Sequence, residues 1–189
     1  MISLKNRLAL ITGASRGIGR ATAILFAQAG AETALNYHQN QRAAQEVFER
    51  VSSFGVKAQL IKANVVNLEE VKRMVREALN DSGKIDILVN NAAVWTYAAI
   101  DSMSEQVWDE TIRVNLKGTY NCCSMVVPAM VSSGGGKIIN VSSTAGQRGE
   151  AYHSHYAATK GAVISFTKSL AAYITGEIIN VNGGSVLCG

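Results

Sequence analysis

The sequence contains a single proline, and aromatic residues make up only 6% of it. One proline in 189 residues argues against a loop-dominated fold. Scarce aromatics beside abundant Gly, Ala, Val and Ile suit an α/β protein with parallel strands buried on both faces. The three cysteines, Cys122, Cys123 and Cys188, form no CxxC pair and no metal-ligand spacing. No metal site is therefore expected, and they read as small apolar fillers of a reduced cytoplasmic protein. No dense Lys/Arg run accompanies the net charge of +4 and the pI near 9.0, so nucleic-acid binding has little support. No apolar stretch reaches the ~20 residues that span a bilayer. The start, MISLKNRLALITGAS, is interrupted by Lys5, Asn6 and Arg7 before a glycine turn, and reads as a first strand rather than a signal peptide. Neither nucleic acid nor membrane is expected as a partner.

What is present is a core. Apolar residues make up 48% of the chain, which excludes a disordered polymer, and the length suits one domain, 1–189. Strand-like and helix-like segments alternate: strand 7–12, helix 18–29, strand 32–37, helix 40–53, strand 57–65, helix 68–81 and strand 85–90. Asn67 with Glu70 predicts the start of the third helix, and Ser102 with Glu105 a capping box opening a long helical region to about residue 131. A strand at 134–142, a helix at 154–171 and a last strand at 176–184 follow. Apolar strands alternating with helices imply a doubly wound parallel sheet, a Rossmann fold in three α/β/α layers. One joint breaks the pattern. The helix ending at Ala171 runs straight into AYITGEIINV, with no crossover unit for a parallel partner.

The first strand ends in TGASRGIG, from Thr12 to Gly19. Gly13 allows a tight turn, Gly17 close backbone approach and Gly19 helix–strand packing. The helix N-terminus then offers free N–H groups and a positive dipole end to a pyrophosphate, which points to a dinucleotide; a plain βα turn is the alternative. An NAD site places Asp or Glu after the second strand. Here that strand ends Leu35, Asn36, Tyr37, His38, with no acid, while Arg16 stands in the loop. Acid absent and arginine present favour NADP(H); Arg16 as a merely solvated side chain is the alternative.

Tyr156 stands four residues before Lys160, one helical turn away, and Ser143 stands thirteen before Tyr156. TGxxxGxG, NNAA from Asn90 to Ala93, Asn115 in VNLKG, Ser143 in NVSSTAG, and Tyr156-x-x-x-Lys160 occur in that order. Together these motifs resemble the short-chain dehydrogenase/reductase family, and within it the 3-oxoacyl-[acyl-carrier-protein] reductase group.

The resemblance implies an oxidoreductase that reduces a ketone to a secondary alcohol. Tyr156 would donate the proton, Lys160 would stabilise the phenolate and hold the nicotinamide ribose, and Ser143 would hydrogen-bond the substrate oxygen. Asn115 would support a water that resupplies protons; a helix-interior amide satisfying backbone is the alternative. Ser142 is the rival to Ser143. The cofactor would meet Gly13, Ser15, Arg16, Gly17, Ile18, Gly19, Asn36, Tyr37, Asn64, Val65, Asn91, Ala92 and Ala93, with Tyr156 and Lys160. His153 and His155 read as partly exposed residues at a helix start. Trp95 and Tyr97 either shape a substrate pocket or pack a loop. The expected partner is a small or acyl-carrier-bound ketone, and the expected assembly a homotetramer or homodimer. A reductase of another small ketone, sugar or steroid-like alcohol, and a silent NADP-binding regulator, are the competing readings.

Three departures stand out. Asn64 replaces the family's Asp, and Ala93 replaces the glycine of NNAG. The penultimate strand and substrate lid have no counterpart between Ala171 and Ala172, where a segment of the native protein is expected to be missing from the sequence.

Overall fold

The computed structural model describes residues 2–171. The strand expected at 176–184, Cys188 and the joint that follows Ala171 lie outside the described residues. In chain order the elements are β1 Leu8–Ile11, α1 Gly17–Gln28, β2 Glu32–Tyr37, α2 Gln41–Ser52, β3 Ala58–Lys62, α3 Leu68–Ser82 and β4 Ile87–Asn90. Then come α4 Glu105–Ile112, a π-helical turn Arg113–Lys117, α5 Gly118–Ser132, β5 Lys137–Asn140, α6 Ala145–Arg148 and α7 Ser154–Ala171. The described residues divide into two compact units, one of 2–92 with 118–139, the other of 93–117 with 140–171.

The first unit carries the sheet. Its strand order is β3-β2-β1-β4-β5, with β1 parallel to β2 and β4, and β2 parallel to β3. All four residues of β1 and of β4 are buried, as the apolar runs LALI and ILVN require when helices cover both faces. Each fully buried aliphatic side chain contributes roughly 1.5–3 kcal/mol, and Leu10, Ile11, Leu35 and Leu88 form the middle of this core. α1 packs with α2, and α3 with α5. Buried Asp86 joins the start of β1 to β4. Its carboxylate accepts from Arg7 at 2.7 Å, Lys84 at 2.8 Å and the Leu8 N–H at 2.9 Å. Burial alone would raise its pKa, but these bonds from Lys84, Arg7 and Leu8 hold it below the usual carboxylate value. The strand order reverses between β1 and β4, the switch point where doubly wound sheets bind ligands.

Several expected boundaries move. The strand expected at 57–65 stops at Lys62, because Asn64 turns the chain by accepting from the Val66 N–H. Asn67 caps α3 as expected, accepting from Glu69 and Glu70, but the Glu70 carboxylate bonds the Asn64 N–H instead of returning to Asn67. The strand expected at 134–142 is only Lys137–Asn140, since Gly134 and Gly135 form the turn that ends α5.

In the second unit the long helix expected to begin at Ser102 starts later. Ser104, not Ser102, accepts from the Val107 N–H; Ser102 belongs to a preceding turn closed on the Ala99 carbonyl. The helix is then interrupted by the π-helical turn that contains Asn115. α4, α6 and the π-helical turn all pack against α7. Gly146 lets α6 approach closely: a Cβ there would stand 2.5 Å from the Lys160 carbonyl carbon and 2.6 Å from the Gly161 nitrogen.

Candidate active site

In the first unit the glycine loop is shaped by steric need. Gly13 has a φ of +64°, and a Cβ there would lie 2.9 Å from the Ala92 Cα. A Cβ on Gly19 would collide with the Gly13 carbonyl oxygen, so α1 reaches the strand only with glycine there. Gly17 differs: nothing lies within 4 Å of its missing Cβ, and Arg16, Gly17 and Ile18 are exposed while Ser15 is half-buried. α1 has no side-chain cap and no acidic residue in its first turn, whereas α2, α3 and α4 are capped by Asn40, Asn67 and Ser104. Its first N–H groups and dipole end are therefore open to an anion.

Behind this loop the other expected cofactor residues are tied to each other. Asn36 is buried; its Oδ1 accepts from the Gly13 N–H at 3.3 Å and its Nδ2 donates to the Ala63 carbonyl at 3.0 Å. It braces the glycine loop from within the sheet, and Tyr37 beside it is buried too. The Asn91 amide donates to the Thr12 and Gly13 carbonyls at 3.0 and 3.1 Å. Thr12 is a hub without a sequence signal of its own: its hydroxyl accepts from the Asn91 and Ala92 N–H groups and donates to the Val89 carbonyl. The acceptor of Asn64 is occupied by Val66, and the Asn121 amide donates to the carbonyls of Val65 and Val66. Cys122 and Cys123 are buried; burial pushes the Cys122 thiol far up and Cys123 to about 11, as inert fillers require.

In the second unit Ser143 and Tyr156 line one cavity of about 580 Å³, with Trp95, Arg148 and Glu150. Ser143 stands near enough to act on the Tyr156 phenol, and its hydroxyl accepts from the Ala145 N–H at 3.1 Å. Burial raises the Tyr156 pKa, Ser143 lowers it, Glu150 raises it, and the net shift is upward. The neighbouring Ser142 donates its hydroxyl to the Lys160 carbonyl at 2.8 Å. Lys160 is buried, its Nζ 5.7 Å from the Tyr156 ring centre and 2.7 Å from the Val141 carbonyl. Burial lowers its pKa to about 8.

Asn115 reaches this constellation indirectly. Its amide pairs with both backbone groups of Val94, accepting from N–H at 2.8 Å and donating to C=O at 3.0 Å. It also donates to Thr159 Oγ1, which donates to the Tyr156 carbonyl at 2.7 Å. Thr159 was invisible as a participant, although its i+3 spacing from Tyr156 is the signal for such a link. The side chain of Asn115 thus ties the Val94 backbone to Thr159 on α7. Ala93, at the edge of this unit, is half-buried. His153 and His155, expected to be partly exposed, are buried, because His153 lies under Trp95 and His155 under His153. Neither His155 ring nitrogen makes a hydrogen bond of ordinary geometry, and burial lowers its pKa. Tyr97 is exposed and stacks on Tyr152.

Among the described residues no three His, Cys, Asp or Glu side chains cluster as metal ligands, and no helix is long and apolar enough to cross a membrane. The family model of short chain dehydrogenases matches residues 7–187. A 3-oxoacyl-[acyl-carrier-protein] reductase of Staphylococcus epidermidis is 41% identical over 177 residues, covering 94% of this chain and 72% of the relative. Its counterpart in Thermotoga maritima is 38% identical over 179 residues, covering 95% and 72%. A crystal structure assigned as a short-chain alcohol dehydrogenase of Sinorhizobium meliloti superposes with a TM-score of 0.87 at 32% identity, covering 90% of this chain and 68% of that one.

Proposed function

The chain belongs to the short chain dehydrogenase family, a family of oxidoreductases, and on that premise we propose that it is an NADP(H)-dependent reductase of a ketone, foremost a 3-oxoacyl thioester, with Tyr156 as proton donor. The observation that carries this reading is the Ser143–Tyr156 hydroxyl pair at the cavity, with the buried amine of Lys160 one turn further along α7.

The open N-terminus of α1 fits the pyrophosphate of a dinucleotide, and exposed Arg16 fits a 2′-phosphate. Gly13, Ser15, Gly17, Ile18 and Gly19 would hold the cofactor, with Asn64, Val65, Asn91, Ala92 and Ala93 along its length and Asn36 and Tyr37 supporting the loop. When bound, the nicotinamide supplies the hydride. The residues of this chain supply the proton and the field. Tyr156 gives its phenolic proton to the substrate oxygen as charge builds there, and Ser143 donates a hydrogen bond to that same charge. A phenol titrates near pH ~10, and burial raises Tyr156 further, so the acid form prevails at neutral pH. The Lys160 ammonium offsets this by stabilising the phenolate left behind. Asn115, whose amide bonds Val94 and Thr159, would support the water that feeds protons toward Lys160.

Acyl-carrier-bound substrate, cytoplasmic location, one domain over 1–189 and a homotetramer or homodimer are parts of the same reading. Adding NADPH and acetoacetyl thioester and following the nicotinamide absorbance tests it. Oxidation of NADPH is expected. NADPH binding without oxidation across a panel of ketones would overturn the enzyme in favour of a silent regulator.

A further inference from the structure

Trp95 is 60% exposed and yet fixed in place. Its indole lies parallel to the His153 imidazole, with ring centres 4.5 Å apart and planes within 1°. Its Nε1 donates to Glu150 Oε2 at 3.4 Å. His153 beneath it is anchored in turn: its Nδ1 stands 2.9 Å from the Ala151 carbonyl and 3.9 Å from the Glu150 carboxylate, and its ring stacks on that of His155. One indole face is covered and one edge is tied. The rest of the ring is free, and Trp95 lines the cavity shared with Ser143 and Tyr156. Apart from the ring of Tyr156, the other lining side chains there are polar or small, as with Thr144, Ala145 and Arg148, so away from Tyr156 the indole is the large apolar surface among the described residues.

We propose that Trp95 is the specificity-determining residue of this site, its free indole face receiving the apolar substituent of the substrate ketone, with His153 and Glu150 as the residues that position it. This rests on the ketone-reductase reading and adds to it the part of the substrate that is recognised. A preformed aromatic wall gains contact with each methylene laid against it and needs no ordering of its own. A ketone with a longer apolar substituent is therefore bound more tightly than a short one, and the gain falls on KM because the wall touches no reacting atom.

The test compares acetoacetyl and 3-oxooctanoyl thioesters with wild type, Trp95→Ala and Trp95→Leu. Wild type is expected to favour the longer thioester at least ten-fold in kcat/KM, mainly through KM, and both variants to lose most of that preference. His153→Ala, with the tryptophan present but unsupported, is expected to lose part of it, and His153→Phe to restore it. A second readout needs no turnover. The chain has two tryptophans, Trp95 and Trp108. In a Trp108→Phe background, the emission of Trp95 should change saturably with 3-oxooctanoyl thioester. Turnover with no chain-length preference, or with one that survives Trp95→Ala within two-fold, overturns the proposal. No turnover together with a saturable emission change rejects the reductase reading and keeps Trp95 as the ligand contact. No turnover and no emission change overturns both.

Discussion

The buried ammonium of Lys160 donates to the main-chain carbonyl of Val141 at 2.7 Å and pairs with no carboxylate among the described residues. Burial lowers its pKa from the usual 10.5 to about 8. Between these two values the unfolded chain keeps a proton that the folded chain has lost, so stability rises with pH across that window. Below it the full penalty of burying the charge is present. The expected result for Lys160→Met is a gain of about 2 kcal/mol at pH 7, the charge penalty less one hydrogen bond. The gain should shrink toward pH 10. Urea unfolding at the two pH values checks this, and a variant less stable than wild type at pH 7 would refute it. Activity should be lost in the same variant, a stability–function trade at one side chain.

Tyr156→Phe removes the one proton that the proposed chemistry transfers. Turnover of acetoacetyl thioester should fall at least a thousand-fold, while NADPH affinity measured by nucleotide fluorescence stays within a few-fold. Normal turnover in this variant would end the proton-donor assignment.

Arg16 is exposed beside the uncapped end of α1, where no carboxylate competes for it in the first turn. Arg16→Ala should weaken NADPH about ten-fold or more and NADH little, the difference being the charge-assisted bond to a 2′-phosphate. Equal weakening of the two nucleotides in a titration would remove that assignment.

Gly146→Ala places a methyl against the backbone of Lys160 and Gly161, where no side chain can yield. α6 must move away from α7, at a cost of about 1–3 kcal/mol. Ser143 precedes α6 and Tyr156 stands on α7, so kcat should fall about ten-fold or more. Urea unfolding and steady-state kinetics read the two effects. Wild-type values for both would show that this close approach is not needed.

The fold was legible because its signals are local. Uninterrupted apolar runs mark β1 and β4, and Asn67 announces α3. Boundaries moved where a side chain competed with the backbone, as Asn64 does after β3, where Ser104 outcompeted Ser102 for a helix end, or where the turn at Gly134 and Gly135 delayed β5. The π-helical turn around Asn115 had no such signal. Its amide is bound to Val94, twenty-one residues away, and nothing in the local pattern encodes that distance.

By itself the sequence determined the residue types and their order along the chain: the glycine loop, Asn115, Ser143, and Tyr156 one turn before Lys160. The glycine loop and the Tyr156–Lys160 pair follow from local spacing, which needs only neighbours in the chain, while Asn115 and Ser143 stand out through the family resemblance. Tertiary structure alone decided which of their atoms are free. It committed Ser142 to the Lys160 carbonyl and left Ser143 beside Tyr156, spent the Asn115 amide on Val94, and buried His153 beneath an exposed Trp95. Hydrogen bonds and stacking between distant segments depend on packing, and packing is a property of the folded chain.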